Sequence, residues 1–212
     1  MTTHKELTSY RECGHEGVDE LLWVTTDTGA FGHENDGPLR DWIKGKDNIL
    51  EHAKKFDTVV QAGGNCGMYA RFYKNYFKEV YTFEPDELNY YCLDANCQGE
   101  DFHKFLGGLG NTREKFSLKA GSETNVGTHK IVESAGDVQM YMLDDMNLNH
   151  CDLIHYDLEG YEETALKGSI ETIKRFKPVI VVERLSGSDL LENLGYKEHG
   201  RTFMDHIYIY NA

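Results

Sequence analysis

From Asp57 to the C-terminus, short β-rich runs bounded by turns alternate with stretches of helical period, and this alternation restricts the chain to parallel strands joined by crossover helices. Strands are expected at residues 58–62, 80–84, 104–106, 152–157 and 179–183, and helices at 68–77, 87–96, 162–175 and 188–194. Leu166, Ile170 and Ile173 fall on one helical face. The chain closes with residues 196–199, a turn at Gly200 and residues 203–210, which read as an antiparallel pair added to a parallel sheet. The expected fold class is therefore α/β, a doubly wound sheet with a terminal antiparallel hairpin. A further stretch, 115–119 and 138–142, looks β-like around a Gly/Ser/Thr-rich loop at 121–128. Such a loop either carries binding function or is a solvated hairpin.

Residues 1–56 are polar and turn-rich, with turn signals at 25–29 and 33–38. Three prolines and no Ser/Gly linker leave nothing to divide the chain further. The organisation expected is an N-terminal extension, 1–56, packing on or capping a single globular unit, 57–212. The length of 212 residues, 40% hydrophobic and 27% charged, suits one soluble domain. Twenty-two Lys plus Arg against 36 Asp plus Glu give a formal charge of −14, which repels phosphate backbones in the absence of a basic patch, and none is visible in the sequence. The longest apolar run, near 179–182, is far short of the roughly 18 residues of a membrane span, and the N-terminus has no apolar signal region. A cytoplasmic protein with neither nucleic-acid nor membrane partners is expected. Five cysteines, Cys13, Cys66, Cys92, Cys97 and Cys151, form no CxxC pair and read as reduced thiols; Cys92 and Cys97 lack two further zinc ligands at a recognisable spacing.

Three segments carry chemistry. In TVVQAGGNCGMYARF an apolar strand enters a turn with Gly63, Gly64 and Gly67 and then a helix. Glycines let backbone approach a ligand, and the helix start offers unpaired N–H groups. A dinucleotide fingerprint would place glycines at Asn65 and Met68, so the spacing disfavours NAD. In VYTFEPDELNYYCLDAN a strand ends in Glu84, about 20 residues after the turn, where an acid can accept hydrogen bonds from both ribose hydroxyls; Pro85 stops the strand. In CDLIHYDLEGYEETALKGSIETI a strand ends in His155, Asp157 and Glu159, followed by Glu162 and Glu163 in the acidic first turn of a helix. Ligands of open parallel sheets bind outside the carboxyl ends of strands, so the three segments should face one crevice. Strand alternation puts His155 and Asp157 on one face, as candidates for deprotonating a substrate hydroxyl.

The segments VVQAGGNCGMY, VYTFEP and DLIHYDLEGYEETALKGS resemble the FkbM family of S-adenosylmethionine-dependent methyltransferases, phage and environmental members included, from about Asp57 onward. The resemblance implies a class I methyltransferase, Rossmann-like sheet of seven strands whose terminal hairpin matches the ending above. It further implies S-adenosylmethionine as cofactor, with S-adenosylhomocysteine as product. Gly63, Gly64, Asn65 and Gly67 would border its methionine end, Glu84 with Pro85 its ribose, and Asp144 and Asp145 of MLDDM the crevice. The D-x-E-G element maps on Asp157, Glu159 and Gly160. Gln61 stands where related turns carry an acid and offers an amide in place of a carboxylate. His155 stands where many relatives carry a lysine.

A sulfonium methyl is already activated, so the enzyme mainly holds the acceptor in line and excludes water. Asp157 is the first candidate to take the acceptor's proton, with His155 and Glu159 as further catalytic candidates; Asp157 and Glu159 alternatively only orient the loop. The expected reaction is O-methylation of a hydroxyl on a sugar, glycan or small molecule. Alternatives are an NAD-dependent oxidoreductase and a catalytically silent module of the same fold. Asp144, Asp145, Asp157 and Glu159 offer oxygen ligands suited to magnesium or calcium, but no loop has a dedicated spacing, and no metal is expected. The extension, with Trp23, Asp27 and Trp42, either covers the crevice or completes a homodimer, its tryptophans serving as packing residues. His33, His52 and His129 receive no role.

Overall fold

The computed structural model describes residues 3–15, 18–28, 47–122, 124–185, 189–202 and 205–211. The turn at 33–38, His33, Trp42, and the expected element starts at Ser188 and Phe203 lie outside them. In chain order the elements are β1 (Thr8–His15), β2 (Val18–Val24), α1 (Asp47–Leu50), β3 (Thr58–Ala62), α2 (Met68–Lys74), β4 (Glu79–Glu84), α3 (Glu87–Asn96), β5 (Phe102–Leu106), β6 (Gly108–Leu109), β7 (Lys115–Lys119), β8 (Lys130–Val132), β9 (Val138–Tyr141), β10 (Leu153–Tyr156), α4 (Glu162–Lys167), α5 (Ile170–Phe176), β11 (Val179–Val182), α6 (Leu190–Asn193), β12 (Tyr196–Thr202) and β13 (Asp205–Tyr210).

The central sheet has seven strands in the order β12-β13-β11-β10-β3-β4-β5. β11, β10, β3, β4 and β5 run parallel, while β13 pairs antiparallel with both β11 and β12. This is the α/β doubly wound, class I Rossmann-like architecture expected from the sequence. Successive residues of a strand serve opposite layers. Val59, Val80, Leu153 and Val181 meet Met68, Ala70, Phe72, Tyr73 and Leu93 of α2 and α3, whereas Val60, Phe83, Ile154 and Val182 meet Ala165, Leu166, Ile173 and Leu191 of α4 to α6.

The polar look of the extension does not predict the β1–β2 hairpin, whose inner residues Leu21, Leu22, Trp23 and Val24 join the α2–α3 layer. Asn96 at the end of α3 stands in for a neighbouring strand: its Oδ1 accepts from Leu22 N at 2.8 Å, and its Nδ2 donates to Leu22 O at 2.8 Å and Cys66 O at 2.7 Å.

The helix expected over 162–175 is two helices. At the break a Cβ on Gly168 would lie 1.9 Å from the Gly110 carbonyl oxygen, and Gly168 O accepts from Asp144 N at 3.1 Å. The stretch from β6 to β9 forms a second sheet, ordered β6-β9-β7-β8, in which β7 and β9 lie at the expected places and β6 and β8 are additional. No described helix is long and apolar enough to cross a membrane. All five cysteines are buried and none is in a disulfide.

Candidate active site

A cavity opens at the carboxyl ends of β3, β4, β10 and β11 and gathers the three chemistry-bearing segments. Its floor is the glycine turn. Gly63 has φ +83°, and a Cβ there would sit 1.8 Å from the Asp157 carbonyl oxygen, so only glycine lets β3 and β10 end this close together. Gly63 N and Gly64 N both donate to Phe83 O, at 3.1 and 2.8 Å. Gly67, at φ +89°, starts α2.

Glu84 sits at the tip of β4, 5% exposed, and lines the cavity with Pro85. Its Oε2 accepts from Asn65 N at 2.6 Å and its Oε1 from Asp86 N at 2.8 Å. Burial pushes its carboxyl up to about 7, although both backbone donors act to lower it. Asp86 caps α3 by accepting from Leu88 N and Asn89 N, both at 2.9 Å. Its other oxygen lies 3.1 Å from His129 Nδ1. Burial works to raise Asp86, but the His129 bond and the cap donors prevail and hold it below the usual carboxylate range; the same bond raises His129.

That pair fastens the loop between β7 and β8 over the cavity, where Asn125, Val126, Gly127, His129 and Ile131 form one wall. Within the 121–128 loop, Asn125, Val126 and Gly127 line the cavity. Asn89 Nδ2 donates to Val126 O at 3.4 Å, and Asn89 Oδ1 is buried on the cavity wall without a hydrogen-bond partner.

The opposite wall is acidic. Asp157, Glu159, Glu183 and Asp205 line it. Glu159, at φ +53°, and Gly160, at φ +100°, turn the chain back on itself before α4. Glu162 closes this turn by accepting from Leu158 N at 3.0 Å and Gly160 N at 3.2 Å, and its burial raises its carboxyl. Glu163 pairs with Lys167 at 2.8 Å. Burial first, and the neighbouring Glu159 charge second, raise Glu183.

Several expectations are corrected. The Gln61 amide does not line the cavity: Nε2 donates to Gly63 O at 2.9 Å and Oε1 accepts from Thr82 Oγ1 at 2.8 Å, so it braces the turn from within. Asp144 accepts from Glu171 N and Thr172 N at 3.1 and 2.8 Å and caps α5, because the LDD residues form a short 3-10 turn facing that helix. Asp145 holds Arg113 in a two-pronged ion pair at 2.7 and 2.6 Å. Neither aspartate lines the cavity. His155, fully buried, points into the α2 layer, with Nδ1 2.9 Å from the Tyr73 hydroxyl and Nε2 3.8 Å from Asp205 Oδ1. It does not line the cavity; Asp157, just beyond the strand, does.

Sequence reasoning gives no site role to His129, Glu183, Asp205 or Asn89. Glu183 had a usable signal, since it ends a parallel strand beside that of Asp157. Trp23, read as a packing residue, is 1% exposed, donates from Nε1 to Asp27 Oδ2 at 2.7 Å and also borders the cavity. At the other end of the sheet the fold assembles the basic patch absent from the sequence reading: Lys54, Lys55, Arg175 and Lys177 surround a groove with His52 and His150.

Residues 61–203 match the methyltransferase FkbM domain. Among solved structures, the chain is similar to a methyltransferase FkbM from Methylobacillus flagellatus KT, with 19% identity, a TM-score of 0.48 and coverage of 73% of this chain and 44% of that one. It is also similar to an rRNA methylase from Streptococcus thermophilus (14% identity, TM-score 0.47, 76% and 90% coverage). A third is a precorrin-8w decarboxylase from Methanobacterium thermoautotrophicum (14% identity, TM-score 0.46, 77% and 88% coverage). The chain thus spans less than half the length of the Methylobacillus protein. No curated protein matches it significantly. Matched over more than half of its length, the chain belongs to the FkbM methyltransferase domain family.

Proposed function

We propose that the chain transfers a methyl group from S-adenosylmethionine to a hydroxyl of a sugar, glycan or small molecule. The observation that carries this reading is that the glycine turn, Glu84 and Asp157, from three different strand ends, line one cavity. The residues present fit the cofactor. The turn lines the cavity at Gly63 and Gly64, where the lack of side chains lets a ligand approach the backbone. Each Glu84 oxygen accepts one backbone N–H and keeps a lone pair for a ribose hydroxyl. Asn89 Oδ1 is an unused buried acceptor, suited to the amino group of a base.

Gly63, Gly64 and Asn65 would hold the methionine end and Glu84 the ribose, whereas Gly67 packs against Leu93 and Cys97 and does not line the cavity. When bound, S-adenosylmethionine supplies an activated methyl on a sulfonium. The chain's part is then to place the acceptor oxygen and take its proton. Asp157, at the cavity edge over Gly63, is the residue for that proton. His155 lies behind the wall, its ring packed against that of Tyr69, which lines the cavity. The carboxylates of Asp157, Glu159, Glu183 and Asp205 repel an anionic acceptor, which favours a neutral hydroxyl.

Asp157→Asn separates the roles. Calorimetry should show S-adenosylhomocysteine binding within about threefold of wild type, while turnover of an acceptor found by screening falls by a factor of about 10² to 10⁴. Turnover at the wild-type level would remove Asp157 as the proton acceptor.

A further inference from the structure

Tyr156 and Val182 are partners in the parallel ladder of β10 and β11, so the next residues, Asp157 and Glu183, leave the sheet side by side. The left-handed turn at Glu159 and Gly160 brings a third carboxylate back to them. One oxygen from each of Asp157, Glu159 and Glu183 lies within 4.8 Å of the other two. Oxygens that share one hard divalent ion, each about 2.0–2.6 Å from it, are at most about 4–5 Å apart, so the three carboxylates lie within the spacing that a shared ion requires.

An independent feature points to a ligand. Glu183 is 8% exposed; its Oε1 accepts from Arg184 Nη2 at 3.0 Å, whereas its Oε2 is buried with no N–H donor and the Asp157 carboxyl lies within hydrogen-bonding reach of Glu183. A buried carboxylate oxygen without a donor is costly unless a cation or proton meets it. Arg184, which also lies 3.7 Å from Glu159, brings one positive charge to three carboxylates, and its side chain is 48% exposed.

We propose that Asp157, Glu159 and Glu183 bind one hard divalent cation of the magnesium or manganese kind, with Glu183 Oε2 as the buried ligand. Three carboxylate oxygens leave coordination positions for water or for an oxygen of the acceptor. Because Asp157 also packs on the glycine turn, the ion lies on the wall of the cofactor cavity. A role in holding the acceptor hydroxyl rests on the methyltransfer reading; occupancy of the site does not.

The test is titration of the metal-free purified chain with Mn²⁺, following free Mn²⁺ by electron paramagnetic resonance, with and without S-adenosylhomocysteine. One saturable site per chain is expected, weakened at least about tenfold in Glu183→Gln and in the more exposed Glu159→Gln, with thermal unfolding checked for both variants. Arg184→Gln should bind Mn²⁺ at least as tightly as wild type, since it removes a competing charge. Absence of saturable binding by wild type, or equal binding by both glutamine variants, overturns the site. Mn²⁺ binding by a chain that ignores S-adenosylhomocysteine under either condition would instead overturn the methyltransfer reading and leave the cation site standing.

Discussion

Glu84 is held between two opposed influences. Burial disfavours its charge, and the backbone N–H groups of Asn65 and Asp86 restore part of it, leaving the carboxyl at about 7. A ribose donating two hydroxyl hydrogens binds the ionised form better than the protonated one. The sign follows: cofactor affinity should rise with pH through 7, by at most about tenfold per unit for one linked proton, and fall below it. S-adenosylhomocysteine calorimetry at pH 6, 7 and 8 checks this, and Glu84→Gln should weaken binding and flatten that part of the dependence. A profile equally steep in the variant would move the titrating group to His129, which faces the same carboxylate through Asp86. Glu84 was readable in the sequence because strand, acid and proline stand together. Gln61 was readable as a departure from an acid, but its inward bonds to Gly63 and Thr82 were not, since Thr82 lies on the neighbouring strand.

Among the elements, the β1–β2 hairpin packs its apolar residues on the core and is hydrogen-bonded to it through Asn96. Asn96 makes three hydrogen bonds to backbone atoms of Leu22 and Cys66, all buried. Asn96→Ala leaves these groups unsatisfied and should cost roughly 2–5 kcal/mol in denaturant unfolding, at about 1–3 kcal/mol per stranded group with partial relaxation. A loss under about 0.5 kcal/mol would mean that water replaces the amide and that the hairpin is held by its apolar face alone. A sequence of 56 polar, turn-rich residues conceals this arrangement because the hairpin's apolar residues face a helix layer that the chain builds much later. The break between α4 and α5 was hidden for a related reason: the periodicity of Leu166, Ile170 and Ile173 runs through it, whereas the cause is the contact of Gly168 with Gly110, more than fifty residues earlier. Asp144 is explained by the same break, as the cap of the second helix.

Over the whole molecule, the parallel sheet and its two helix layers follow from periodicity, and the rule that ligands meet strands at their carboxyl ends locates Gly63, Glu84 and Asp157 in one cavity. What completes the cavity arrives by longer routes. Asp205 comes on an antiparallel strand, His129 and Val126 on the loop between β7 and β8 of the small second sheet, and Trp23 on the N-terminal hairpin. No local spacing links these residues to the glycine turn. Whether this cavity holds the cofactor is decided by calorimetric titration of wild type and Glu84→Ala with S-adenosylhomocysteine, with NAD as a parallel ligand. Saturable, micromolar binding of S-adenosylhomocysteine to wild type, loss of that binding in Glu84→Ala, and no binding of NAD are expected. Absence of S-adenosylhomocysteine binding to a folded wild-type chain, or binding undiminished in Glu84→Ala, would contradict a cofactor role for the cavity.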